Sequence, residues 1–150
     1  MTTVIARTAT RIAVPIALVT AVALLLQGHN LPGGGFIAGV LTAAALALVY
    51  VVFGLEELST MLGIGGTGPF GHAPVAYYRV TFGLGLALAA GSGLVPIVFG
   101  EPFLAQTYWI LHDVPLFGEV EVASALAFDL GVYLTVVGAL LEIVAVVGTE

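Results

Sequence analysis

Residues 36–54 read FIAGVLTAAALALVYVVFG, a run without one charged side chain. A helix needs about 20 predominantly apolar residues to cross the hydrocarbon core of a bilayer, so this run is long enough to span a membrane. Three more stretches have similar length and character, at residues 5–26, 80–99 and 122–147. The sequence therefore predicts an all-α membrane protein with four transmembrane helices.

The composition of the whole chain supports this class. Of its 150 residues, 60% are hydrophobic and 8% are charged, whereas a soluble domain usually has about 25% charged residues. We predict one integral-membrane domain over residues 1–150, because the polar residues outside the four runs are too few for a soluble domain of about 100 residues. The net charge of −6 argues against nucleic acid as a partner. The absence of cysteine excludes disulfides, thiolate metal sites and thiol nucleophiles.

The distribution of basic residues predicts the orientation. Arg7 and Arg11 precede the main apolar part of the first run, and Arg79 precedes the third. Because cytoplasmic flanks carry the excess of lysine and arginine, we predict that both termini and residues 55–78 are cytoplasmic. Residues 27–35 and 100–121 then lie outside. The second of these outer connections is acidic and contains aromatic rings suited to the headgroup region, and we expect a short interfacial helix there.

Small residues recur every four positions in each predicted helix, which forms ridges where another helix can approach closely. The ridges are Ala9, Ala13, Ala17 and Ala21; Gly35, Gly39, Ala43 and Ala47; Gly83, Ala87 and Gly91; and Ala123, Ala127, Gly131, Thr135 and Ala139. In the fourth helix, Asp129 lies roughly 200° from the ridge. Two opposite faces of this helix therefore avoid lipid, and we predict a partner protein or a polar cavity on the second face.

Asp129 is the main candidate for chemistry. It lies about 10 Å below the outer end of the predicted helix. A carboxylate at that depth costs several kcal/mol unless it is protonated, paired or hydrated, and such residues often mark ion or proton paths. Two hypotheses stay open, a place in an ion path and a structural tie to a neighbouring helix. We expect Tyr133, one turn below, to hydrogen-bond to Asp129, and Glu142 to reach the inner interface.

The connection between the first two helices has the sequence GHNLPGGGF, residues 28–36. It lacks the lysine, the preceding strand and the acidic residue that nucleotide-binding glycine loops require. Its glycines permit positive φ angles and close backbone approach, so the amides at the start of the second helix are expected to form a nest for a neighbouring carbonyl or carboxylate. His29 titrates near neutral pH and is either a proton carrier or an anchor of the turn. No metal site is predicted, because the three histidines lie in separate loops.

Two segments carry a family resemblance. Residues 28–39, GHNLPGGGFIAG, and residues 128–134, FDLGVYL, closely resemble the B subunit (MrpB or MnhB) of Mrp-type multisubunit cation/proton antiporters. The resemblance implies a non-enzymatic plasma-membrane subunit without cofactors, in a complex that exchanges Na⁺, and sometimes K⁺, for protons. It further implies that the other subunits are its partners and that it helps to build the sodium-handling end. The positions to follow are His29 and Asp129, with the motif residues Gly28, Pro32, Gly33, Gly34, Gly35 and Phe36.

Two alternatives stay open at this point. The same module occurs in membrane-bound hydrogenases and related respiratory complexes, where it is a structural subunit. Within an antiporter, the chain either contributes residues that contact the ion or serves as a scaffold for other subunits.

Overall fold

The computed structural model of the chain describes residues 4–28, 33–63, 74–103, 108–114, 118–123 and 125–148. The described elements, in chain order, are α1 (Val4–Gln27), α2 (Gly35–Phe53), α3 (Leu55–Met61), α4 (Pro74–Val98), β1 (Tyr108–Val114), β2 (Gly118–Ala123) and α5 (Ala125–Val147). Helices α1, α2, α4 and α5 are long and apolar enough to cross a membrane. The prediction of four membrane-spanning helices is confirmed.

Two helix boundaries differ from the predicted ones by more than one residue. Helix α4 begins at Pro74 rather than at residue 80. Proline is favoured at the first position of a helix. Arg79 does not prevent the earlier start, because the charged head of an arginine near the membrane surface can extend into water. Helix α5 begins at Ala125 rather than at residue 122, because Val122 and Ala123 belong to β2. Asp129 therefore lies about 6 Å from the start of its helix, closer to the membrane surface than the predicted 10 Å.

The third connection contains a β-hairpin, so the prediction of an interfacial helix is wrong for its described residues. Strands β1 and β2 are antiparallel, with Tyr108 opposite Ala123 and Ile110 opposite Glu121. Six of the thirteen residues in the strand sequences YWILHDV and GEVEVA are aromatic or β-branched, and these residue types favour strands. The second connection contains α3, whose first turn carries Glu56 and Glu57, a favourable position at the positive end of a helix.

The membrane-spanning helices form an open row in the order α1, α2, α5, α4. Helix α5 packs against α4 on one side and α2 on the other, so both of its lipid-avoiding faces are covered by this chain. The prediction of a partner protein or a polar cavity on its second face is therefore wrong, because α2 occupies that place. Among the described residues, α1 and α4 are the end helices of the row, each with one extensive helix neighbour.

One end of the row is closed by an apolar cluster. Helix α3 folds beneath the row there and inserts Leu58, which is almost fully buried. The cluster is formed by Val14, Ala45, Leu46, Val49, Leu58, Tyr78, Leu141 and Ala145. The cluster thus joins all five described helices at the end where α2 stops and α4 starts.

The arginines lie at the same end as this cluster. Arg7 and Arg11 approach the ring of Phe53, at 5.8 and 5.9 Å from its centroid. Nε of Arg79 donates a hydrogen bond to Oε1 of Glu142 at 3.0 Å. We call this end the inner end, because the arginine distribution predicts that it faces the cytoplasm.

Cysteine labelling tests the predicted orientation, since the chain contains no cysteine. In whole cells, a membrane-impermeant thiol reagent should modify a cysteine introduced at Glu101, after the outer end of α4. It should not modify one introduced at Glu57 in α3 until the membrane is permeabilised. Both positions are exposed, so a difference in labelling reports sidedness. The reverse pattern would contradict the predicted orientation.

Candidate functional site at the seam between α2 and α5

The turn after α1 brings the start of α2 against α5. The amide of Gly34 donates a hydrogen bond to the carbonyl oxygen of Leu24 at 3.0 Å, which folds the turn back onto α1. Gly34 has a φ of +104°, a conformation that favours glycine. A Cβ atom at Gly35 would overlap the carbonyl oxygen of Asp129 and lie 2.7 Å from its carbonyl carbon. Glycine at position 35 therefore allows the two backbones to touch.

The carboxylate of Asp129 lies beside the same turn. Its Oδ1 and Oδ2 would be 3.8 and 3.9 Å from a Cβ placed on Gly34, and its side chain is half-buried. The first amides of a helix have no acceptor within the helix and form its positive end. The start of α2 is thus a favourable environment for this charge. The structure joins the two sequence segments, 28–36 and 128–134, into one site.

The contact continues towards the inner end. A Cβ at Gly39 would lie 3.1 Å from the carbonyl oxygen of Tyr133 and 3.0 Å from Cβ of Val136. The phenol of Tyr133 donates to Oγ1 of Thr42 at 3.1 Å, and Thr42 is buried. We call this contact the α2–α5 seam; it comprises Gly34, Gly35, Gly39, Thr42, Asp129, Tyr133 and Val136.

The partner of the Tyr133 hydroxyl differs from the predicted one. The ring crosses to α2, so its hydroxyl bonds to Thr42 rather than to Asp129 on its own helix. Thr42 is not among the predicted site residues. A usable signal was present, since Gly35, Gly39 and Thr42 share the spacing i, i+4, i+7 with Asp129, Tyr133 and Val136. Two such stripes fit together when helices pack side by side.

The opposite face of α5 packs on α4 through glycines. A Cβ at Gly131 would lie 2.8 Å from Cα of Ala89, and one at Gly138 would lie 2.8 Å from Cα of Phe82. On α4 it is Gly85 that makes the close approach. The ridge of Gly83, Ala87 and Gly91 does not, and both of its glycines have no atom of the described chain within 4 Å of an added Cβ.

The other predicted site residues fall into three groups. His29 and Pro32 lie outside the described residues. Gly28 and Gly33 form the turn, and a Cβ at Gly33 would lie 2.6 Å from the carbonyl oxygen of Leu24. Phe36 is 63% exposed. The described part of the site thus supplies one carboxylate, one phenol and one hydroxyl between two close helices.

Comparisons with known proteins identify relatives of the chain. Residues 5–142 match the model of a family described as a domain related to the MnhB subunit of Na⁺/H⁺ antiporter. The chain is 38% identical to the B subunit of the Na⁺/H⁺ antiporter of Bacillus subtilis (strain 168), with 97% of this chain and 93% of that protein aligned. It is 37% identical to the protein of the same name from Alkalihalophilus pseudofirmus, with 98% and 93% aligned.

A solved structure is also similar. It is the structure of the Mrp complex from Dietzia sp. DQ12-45-1b, and one of its chains matches with a TM-score of 0.72 and 28% sequence identity. The match covers 97% of this chain and 14% of that chain. This chain therefore corresponds to about one seventh of that larger polypeptide.

Proposed function

Because this chain belongs to the family related to the MnhB subunit of Na⁺/H⁺ antiporter, we propose that it contributes to assembly and to the cation-translocation region of a multisubunit Na⁺(K⁺)/H⁺ antiporter. It is a multi-pass subunit of the plasma membrane, and the other subunits of the complex are its partners. It carries out no catalysis of its own. The observation that carries the proposal is the alignment with the two bacterial B subunits over nearly the full length of both chains.

The open row of helices supports a role within a larger assembly. Many large apolar side chains are exposed on the described helices, including Val19, Leu84 and Ile143. A single layer of helices can cover little of its own surface, and the end helices α1 and α4 remain accessible to other subunits. Transport by the chain alone is not expected, since the described seam contains one carboxylate and no second charged group with which ion and proton binding could be coupled.

We propose that the outer end of the α2–α5 seam, at Gly34 and Asp129, lies in or beside the cation path, with Asp129 as its charged group. Two features support this role: the carboxylate lies near the predicted outer surface, and its side chain is only half-buried. A cation approaching from outside would be attracted by this charge. His29, which belongs to the same connection as Gly34 in the sequence, stays a candidate for proton handling.

Purification of the intact complex tests the proposed function. A tagged copy of this chain, expressed with its own operon and extracted in mild detergent, should co-purify with large antiporter-like subunits. Deletion of its gene should abolish sodium resistance in a host that lacks its own antiporters, and a plasmid copy should restore it. The chain expressed alone should confer no resistance. Co-purification with hydrogenase subunits would contradict the proposal and favour the respiratory alternative.

A further inference from the structure

A groove opens between α4 and α5 near the inner end of the row. We call it the inner groove; it has a volume of about 380 Å³ and is lined by Phe82, Ala139, Glu142, Ile143, Val146 and Val147. Apart from the carboxylate of Glu142, its walls are hydrocarbon. The groove is open on the face of the row, so it can receive a molecule from the membrane.

An arginine lies beside this groove. Arg79 bonds to Glu142 through Nε, and the side chains are 72% and 23% exposed, respectively. A guanidinium has five donor hydrogens in a planar fork that matches a phosphate. Within the described part of the chain, Arg79 uses only its Nε–H. Its two terminal amino groups therefore suit a second, anionic acceptor.

The position of Arg79 along α4 matches the headgroup region of a bilayer. The apolar span of this helix runs from Ala76 to Val98, so Arg79 lies about 4.5 Å inside the start of the span. An arginine at that level extends its head to the phosphate region while its stem remains in hydrocarbon. Phe82 and Ala139 lie about one turn deeper and provide apolar contact beneath the charge.

We infer that the inner groove binds an anionic phospholipid, with its phosphate on Arg79 and an acyl chain against Phe82, Ala139 and Ile143. The combination of an exposed cation at the headgroup level and an apolar groove below it matches an amphiphile, and one arginine near the membrane surface attracts an anionic lipid by about 1 kcal/mol. Five of the six lining residues are larger than alanine, whereas helix docking in membranes prefers small residues. Glu142 shares the arginine with the phosphate and limits the affinity.

Photo-crosslinking in the intact complex tests this inference. A benzophenone amino acid replaces Ile143 in the groove, and in a control that lies about 12 Å along its helix from Arg11 it replaces Val19 on α1; these residues are 59% and 71% exposed. The complex is reconstituted in vesicles with equal parts of phosphatidylglycerol and phosphatidylethanolamine, irradiated, and analysed by mass spectrometry. We expect the ratio of captured phosphatidylglycerol to phosphatidylethanolamine to be about fivefold higher at position 143 than at position 19, the effect of one arginine near an anionic lipid.

The two members of the ion pair should act in opposite directions. Arg79→Gln should reduce the enrichment at position 143 to the control level, and Arg79→Lys should retain part of it. Glu142→Gln should raise the enrichment above that of the unsubstituted chain, because it removes the competing carboxylate. If both glutamine variants lower the ratio equally, the pair only joins α4 to α5 and the inference fails. The inference also fails if the residue at position 143 crosslinks to a polypeptide. It fails as well if position 143 captures phosphatidylglycerol and phosphatidylethanolamine in the same ratio as the control position.

Discussion

Gly35→Ala is expected to remove most of this subunit from the antiporter complex, although alanine is normally the better helix former. The added Cβ would overlap the backbone carbonyl of Asp129. A backbone cannot move aside as the end of a flexible side chain can, so α2 and α5 must separate. Overpacking in a close-packed core costs about 1–3 kcal/mol, and separation would also displace Asp129 from the start of α2. The measurement is the fraction of the tagged chain that co-purifies with the other subunits.

The matched control is Gly83→Ala on α4. It introduces the same methyl group into another membrane helix, at a glycine with no atom of the described chain within 4 Å of an added Cβ. Assembly should equal that of the unsubstituted chain, because the substitution improves helix propensity without a clash. Equal losses from Gly35→Ala and Gly83→Ala would contradict the close contact at the α2–α5 seam.

Asp129→Asn is expected to leave assembly near normal and to weaken the apparent sodium affinity or the exchange rate by at least about tenfold. Asparagine preserves shape and most hydrogen bonding but removes the charge. Two unit charges about 4 Å apart interact by about 4 kcal/mol at an effective dielectric constant of 20, and about 1.4 kcal/mol corresponds to a factor of ten. Antiport in inverted vesicles, titrated with sodium and normalised to assembled complex, gives both quantities. Asp129→Glu should retain part of the activity.

Thr42→Val is the control from the same seam. It removes the acceptor of the Tyr133 hydrogen bond without changing charge, and such bonds between membrane helices are worth roughly 0.6–2 kcal/mol. We expect a lower thermal stability of the complex and an unchanged sodium affinity. If Asp129→Asn shows the affinity and rate of the unsubstituted complex, Asp129 is a structural tie and lies outside the cation path.

The membrane class and the four spans could be predicted from sequence for a local reason. Hydrocarbon offers no hydrogen-bond partners, so a continuous apolar run of about 20 residues crosses it as a helix that satisfies its own backbone groups. Each span is then visible as a continuous apolar run, such as residues 36–54. The hairpin was not predicted, because its strands are short and lie in a polar connection. The aromatic residues of this connection also suit an interfacial helix.

Hydropathy and residue spacing on single helices therefore determined the helical membrane class, the number of spans and the residue types of the site. The tertiary structure decided which surfaces meet. Gly83 and Gly85 are alike in sequence, yet only Gly85 makes the close approach to α5, and the fold is what places Asp129 beside Gly34. Helix faces with similar small residues are nearly equivalent in composition. Which faces pair depends on the shape complementarity of two helices whose backbones come into contact. The sequence of one helix does not contain that information.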